Sequence, residues 1–167
     1  SYPAGIPALA RGYAKTQGGF RIDETGWEQV ADGEVHSELN DLALWDENFY
    51  TGKVGGRPLL EKMHEVGLLN SGRSTDYAGG LRVFESRGVR WVTHGGSWVG
   101  YRSSIVRAPE ERLSVIALCN RAEADADGYA RGIAERLLAD KLGPPEKDPE
   151  EAVADPAPVV AQWDPGD

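Results

Sequence analysis

Cysteine occurs once in these 167 residues, at Cys119, so the chain closes no internal disulfide and builds no metal site from several thiolates. On its strand Cys119 reads as a small buried hydrophobe. Histidine occurs three times, at His36, His64 and His94, with no spacing suited to one shared metal ion. A metal hydrolase is therefore disfavoured, and no metal and no cofactor is expected. Positive charge is also scarce. Eighteen Lys and Arg stand against 27 Asp and Glu, giving a net charge of −9 and an isoelectric point near 4.9. Without a basic stripe to neutralise phosphates, nucleic-acid binding is excluded as an expectation. No apolar run approaches the roughly 20 residues of a membrane-spanning helix, and no signal-peptide pattern is present. The chain starts at Ser1 rather than Met, so the natural N-terminus is expected upstream and the compartment stays open.

The short motifs of nucleophilic and phosphate chemistry are missing too. No serine is followed three residues later by lysine, and no tyrosine is followed two residues later by asparagine. Gly96-Ser97-Trp98-Val99-Gly100 has the wrong spacing for a nucleophile elbow. There is no H-E-x-x-H, no G-x-x-x-x-G-K and no G-x-G-x-x-G.

What is present suits one folded domain with a core: 40% hydrophobic and 27% charged residues. The first 36 residues are rich in Gly and Pro, with short apolar pieces at 9–13, 20–22 and 27–30. Ser37 is suited to cap a helix over 38–50 whose stripe is Leu39, Leu42, Trp45 and Phe49, with Gly52 as its stop. A second helix is predicted from near Pro58, burying Leu59, Leu60, Met63 and Val66. The period then changes. Residues 77–84 and 89–94 read as strands joined through Glu85-Ser86-Arg87-Gly88, followed by strands over 101–108 and 113–120. The run Val115-Ile116-Ala117-Leu118-Cys119 predicts a strand buried on both faces. A last helix over 125–141 carries Tyr129, Ile133, Leu137 and Leu138 as its apolar stripe. Short connections require antiparallel pairing, so the fold class is α+β: an antiparallel sheet packed with helices. Residues 143–167 are Pro- and acid-rich and read as a linker or disordered tail, in which Val159, Val160 and Trp163 are the apolar exceptions.

The chemistry concentrates at Trp91-Val92-Thr93-His94-Gly95-Gly96-Ser97. Two glycines inside a strand weaken it and mark a place where something approaches the backbone closely. Beside them, the imidazole of His94 titrates near neutrality and can donate a hydrogen bond to a ligand. Gly95 and Gly96 would let a peptide-like ligand pair with the strand, and the amide of Ser97 would serve as an oxyanion donor. The plainer alternative is a histidine at a strand end with glycines forming a bulge. His36 and His64 read as surface or satisfied side chains.

Five segments, in order, resemble one family: Leu9-Ala10-Arg11-Gly12-Tyr13, residues 37–46, Asp76-Tyr77-Ala78-Gly79-Gly80-Leu81, residues 94–103, and Leu113 through Asn120. The family is the serine hydrolases related to class C β-lactamases and penicillin-binding proteins, which include DD-carboxypeptidases, D-aminopeptidases and esterases. The resemblance covers about residues 8–140. Three motifs characterise it: S-x-x-K with the nucleophile, Y-x-N or S-x-N with the proton shuttle, and K-T-G or H-x-G on a strand edging the cleft. His94-Gly95-Gly96 matches the third. By that match His94 would assist substrate binding and proton handling, Ser97 would supply an oxyanion amide, and Gly95, Gly96 and Trp98 would border the substrate. Trp98, Tyr101 and Arg102 are equally well explained by core packing and by a solvated arginine.

The other two motifs lie N-terminal to this region in the family. The resemblance thus implies that residues 1–142 are the C-terminal portion of such a domain, lacking its nucleophile, its N-terminal portion and part of its sheet. An incomplete β-lactamase/transpeptidase-like fold with an exposed edge and apolar face should follow. The implied partner is a small-molecule amide or ester. A histidine in place of the motif's lysine leaves the charge pH-dependent, which widens the implied substrates from carboxylate-bearing ones to esters, amides and D-amino-acid peptides. The alternative from a different class is a non-catalytic binding or interaction domain on the same scaffold.

Overall fold

The alternating stretches after residue 82 form one antiparallel sheet in a computed structural model that describes residues 8–25 and 35–145. Its strands are β3 (Arg82–Ser86), β4 (Val89–Trp98), β5 (Tyr101–Ala108) and β6 (Leu113–Cys119), in spatial order β3-β4-β5-β6. Two-residue loops join the first two hairpins, Arg87-Gly88 and Val99-Gly100, while a 3₁₀ turn at Pro109–Glu111 joins the third. Arg87 and Gly88 both have positive φ, 54° and 79°, the backbone of a tight hairpin turn. A smaller ribbon of β1 (Tyr13–Thr16) and β2 (Gly19–Ile22) precedes them.

Three helices complete the described chain: α1 (Leu39–Thr51), α2 (Gly56–Lys62) and α3 (Ala126–Leu137). α1 starts one residue later than the sequence suggests. Glu38, not Ser37, takes the extended N-cap backbone, and no side chain caps the helix; Gly52, at φ 68°, ends it with its N–H on Asn48 O at 2.8 Å. Asn48 is buried and clamps the next loop, accepting from Val54 N–H at 2.7 Å and donating to Val54 O at 3.2 Å.

The largest buried apolar cluster lies on one face of the sheet. Val89, Trp91, Val106 and Ala108 meet Ala130, Ala134 and Leu138 there, with Val115 and Ala117 packed alongside. The helix touches the sheet through alanines four residues apart, Ala126, Ala130 and Ala134, and its N-cap Asp125 accepts from Gly128 N–H at 2.9 Å. Here the sequence expectation needs correction. Of the anticipated stripe only Leu138 is buried; Tyr129, Ile133 and Leu137 face outward, Leu137 at 61% exposure. Small side chains let the helix sit close to β5 and β6, and close packing outweighs the larger area of the residues one step around the helix.

Four further expectations shift. The strand predicted from 77 begins only at Arg82, because Asp76 and Gly80 take positive φ and fold residues 77–82 into a turn in which Tyr77 bridges Arg82. β6 is not buried on both faces either. It is an edge strand, with Leu118 at 41% exposure and Cys119 half-buried. Likewise the α1 stripe is largely open: Leu39 and Trp45 are exposed, and only Leu42 and Phe49 are half-buried. In α2, Leu60 is buried but Leu59 is exposed. The apolar pieces at 27–30 and in the tail at 159–163 lie outside the described residues.

The segment before α1 is tied to the far end of the sheet. Tyr13 N–H donates to Asn120 O at 3.0 Å, Gly100 N–H to Asp23 O at 3.0 Å, and Tyr101 Oη to Ala10 O at 2.8 Å. A Cβ on Gly100 would lie 2.4 Å from Tyr13 N, so only glycine allows this approach beside the hairpin tip.

Candidate active-site wall

Pairing between β3 and β4 stops at Arg82 and Thr93, whereas β4 runs on to Trp98 against β5. Residues 94–98 therefore carry one paired edge and one open edge. Which backbone groups face outward follows from the two hairpins. The residues flanking a two-residue loop exchange both hydrogen bonds, and successive residues of an antiparallel strand point their N–H and C=O to alternate sides. Ser86 pairs Val89, so Val89, Trp91 and Thr93 address β3. Trp98 pairs Tyr101, so Trp98, Gly96 and His94 address β5. Both hairpins give the same phase along an unbroken register. Gly95 and Ser97 thus direct their N–H and C=O groups at the open edge.

Side chains alternate as well, between the two faces of the sheet. His94 lies opposite Ile105, itself opposite Ile116, on the face overlooked by α1; Gly96 and Trp98 share that face. Ser97 stands on the other face, beside Arg102, Asp125 and Asp127, where an open pocket of about 310 Å³ lies at the start of α3. Its hydroxyl and the His94 ring are therefore on opposite sides of the strand, and its amide is the group left at the edge. His94, Gly95, Gly96 and Ser97 are all exposed; Trp98 is half-buried. A Cβ on Gly96 would fall 2.4 Å from Ser103 Oγ, so a larger residue there requires that hydroxyl to turn away. Tyr101 is committed to Ala10, and Arg102 wraps the hairpin tip, donating to Val99 O at 2.9 Å and Tyr101 O at 2.7 Å.

On the histidine's face, Leu42, Trp45, Phe49, Met63, Leu81 and Leu118 border an open groove of about 370 Å³. Its floor holds a buried arginine. Arg107 is 1% exposed and ion-paired to Asp46, which also accepts from Ser114 Oγ at 2.8 Å. The guanidinium lies over Phe49, 4.3 Å from the ring centroid, an arrangement in which the ring face stabilises the cation. His64 follows α2 and packs against Phe49 with tilted rings, their centroids 5.4 Å apart. Burial lowers its pKa from 6.5, and the positive charges of Arg90 and Arg107 push the same way.

One contact at the site was not legible beforehand. Tyr77 Oη lies 3.1 Å from His94 Nε2, with ring centroids 6.1 Å apart. Tyr77 stood inside a segment read as strand, and only the turn at Gly79 and Gly80 carries it back to His94. Among the described residues, no three His, Cys, Asp or Glu side chains gather as metal ligands, and no helix is long and apolar enough to cross a membrane.

The chain is similar in sequence to known proteins. A family model described as Beta-lactamase matches residues 1–140. A D-aminopeptidase of Brucella anthropi is 25% identical over 126 residues, which are 75% of this chain and 23% of that protein. A D-aminopeptidase of Brucella ovis is 25% identical over 135 residues, 81% of this chain and 25% of its own length. A penicillin-binding protein of Bacillus subtilis (strain 168) is 32% identical over 94 residues, 55% of this chain and 21% of its own. The chain spans about a quarter or less of the curated relatives it matches. With the α+β sheet and the family model agreeing across most of its length, this chain belongs to the beta-lactamase family.

Proposed function

We propose that this chain forms the H-x-G wall of a serine-hydrolase cleft, and that the attacking serine lies outside it. Residues 1–142 would be the C-terminal portion of the catalytic domain, and residues 143–167 a tail beyond it. The observation that carries this reading is the edge of β4 beyond Thr93, where among the described residues the Gly95 and Ser97 backbone groups face outward beside His94 with no strand paired to them. A substrate laid along that edge gains main-chain hydrogen bonds as an added strand would. Its scissile carbonyl oxygen accepts from Ser97 N–H. When a serine hydroxyl from elsewhere attacks the carbonyl carbon, the oxygen becomes an oxyanion and that hydrogen bond strengthens. Collapse breaks the bond to the amine or alcohol, which leaves with a proton; water then attacks the acyl ester and releases the acid. His94 hydrogen-bonds the substrate and supplies or accepts protons at the edge. The relatives named D-aminopeptidase make a small D-amino-acid amide the first substrate to try.

The test uses the protein encoded by the complete reading frame, with a D-alanine anilide and p-nitrophenyl acetate as probes. Ser97→Ala should leave turnover nearly unchanged, because the hydroxyl faces away. Ser97→Pro removes an edge N–H without taking a ladder hydrogen bond from β5 and should lower kcat about 10²- to 10³-fold, the usual cost of one oxyanion donor. Circular dichroism of the Pro variant checks that the strand persists. Loss of activity in Ser97→Ala, or a folded and fully active Ser97→Pro, would overturn the assignment. A reading frame with no S-x-x-K would favour the non-catalytic binding domain.

A further inference from the structure

Tyr77 is held by its backbone rather than by packing. Its C=O accepts from Gly67 N–H at 2.8 Å, its N–H donates to Thr75 Oγ1 at 3.2 Å, and Thr75 N–H is tied to Gly67 O at 2.9 Å. The preceding Asp76 is locked in a positive-φ conformation, with its C=O accepting from Val83 N–H at 2.9 Å. Main-chain pairing of this density fixes where the ring leaves the turn. Yet the ring is not core, for Tyr77 remains 46% exposed. A tyrosine kept for area alone would be buried; this one ends with its hydroxyl on a single ring nitrogen of His94.

We propose that Tyr77 is a positioning residue for His94. In this arrangement the phenol O–H is the donor and Nε2 the acceptor. A neutral imidazole that accepts at Nε2 must carry its proton on Nδ1, so Tyr77 selects the tautomer as well as the ring orientation. Nδ1–H then becomes the donor that His94 offers to its surroundings. In an edge built to bind an amide or ester, a fixed donor orients the substrate better than a ring that exchanges tautomers. The catalytic consequence rests on the function proposed above, but the tautomer itself does not.

The experiment therefore reads the tautomer directly. The chain is labelled with ¹⁵N-histidine, and the ring nitrogen shifts of His94 are recorded at pH 8. The expected spectrum is that of the Nδ1–H tautomer, reverting in Tyr77→Phe toward the Nε2–H form that free histidine prefers. The ring shifts of His64 should not move, which reports that the variant is folded. If Tyr77→Phe does not fold, the wild-type tautomer decides alone. An Nε2–H tautomer in the wild type, or an Nδ1–H tautomer that survives in folded Tyr77→Phe, overturns the proposal. In the protein of the complete reading frame, Tyr77→Phe should also shift the pH profile of kcat more than it changes KM. A tautomer switch without any hydrolase activity would sink the proposed function and leave the positioning role standing. Activity without a tautomer switch would do the reverse.

Discussion

The two faces of the four-stranded sheet alternate from the same strands and are finished in opposite ways. On one, α3 lies close along β5 and β6 through alanines, and Trp91, Val106 and Ala108 are shielded from water. On the other, α1 stands over an open groove, with Leu44 at 71% exposure and Leu118 and Trp45 exposed at its margins. The sealed face carries no candidate chemistry along its core. The open face carries His94, Tyr77 and the buried Arg107. The sheet behaves as a scaffold with one side anchored and one side presented, and the strand that edges the presented side is the one interrupted by glycines.

The contrast breaks most visibly through its anchor. Trp91, 2% exposed, fills the sealed face. Trp91→Ala should cost about 3–5 kcal/mol in urea denaturation, whereas Leu44→Gln on the exposed side of α1 should stay within about 0.5 kcal/mol. Similar losses at both sites would mean that the open face is packed in solution. A smaller effect sharpens the comparison within α3. Ala130→Leu inserts bulk where the helix meets the sheet and should cost about 1–3 kcal/mol, while Ile133→Gln, one step around the helix, should be near neutral. The reverse order would restore the stripe of Tyr129, Ile133 and Leu137 as the buried one.

The smallest expected effect is a pH dependence. His64 has a folded pKa below 6.5, so the unfolded chain binds a proton that the folded chain resists. Its contribution is complete above pH 6.5, falls as the pH drops through 6.5, and stops falling once the pH passes below the lowered folded value. Melting temperature should therefore decline between pH 7.5 and 5.5, and His64→Phe should flatten that decline. An equally steep decline in the variant would assign it to other groups.

How much could be read from the sequence differs between these regions for physical reasons. The strands were legible because hairpin turns need residues such as Gly88, and because alternation survives wherever one face is packed. The helix faces were not. Residues 129, 133 and 137 lie one position away from residues 130, 134 and 138, and hydrophobicity favours the bulkier set, whereas close approach to the sheet favours alanine. At the site, Gly95 and Gly96 beside His94 fitted either a backbone open to a ligand or a bulge; in the fold Gly95 faces the open edge and Gly96 faces β5. Tyr77 gave no such sign: its contact depends on a turn made by positive φ at Asp76 and Gly80, and the Gly79-Gly80 pair that signals this turn sits inside a run of strand-forming residues. Burial of Arg107 was likewise invisible, because its partner Asp46 lies 61 positions earlier, on α1.

The central claim is that this chain supplies a wall and not the attacking group. The most direct measurement is hydrolysis of nitrocefin and p-nitrophenyl acetate by the 167-residue chain, followed by intact mass. Turnover should be no higher than that of a His94→Ala control, with no acyl adduct. Turnover clearly above that control, with an acyl group mapped to a serine of this chain, would contradict it.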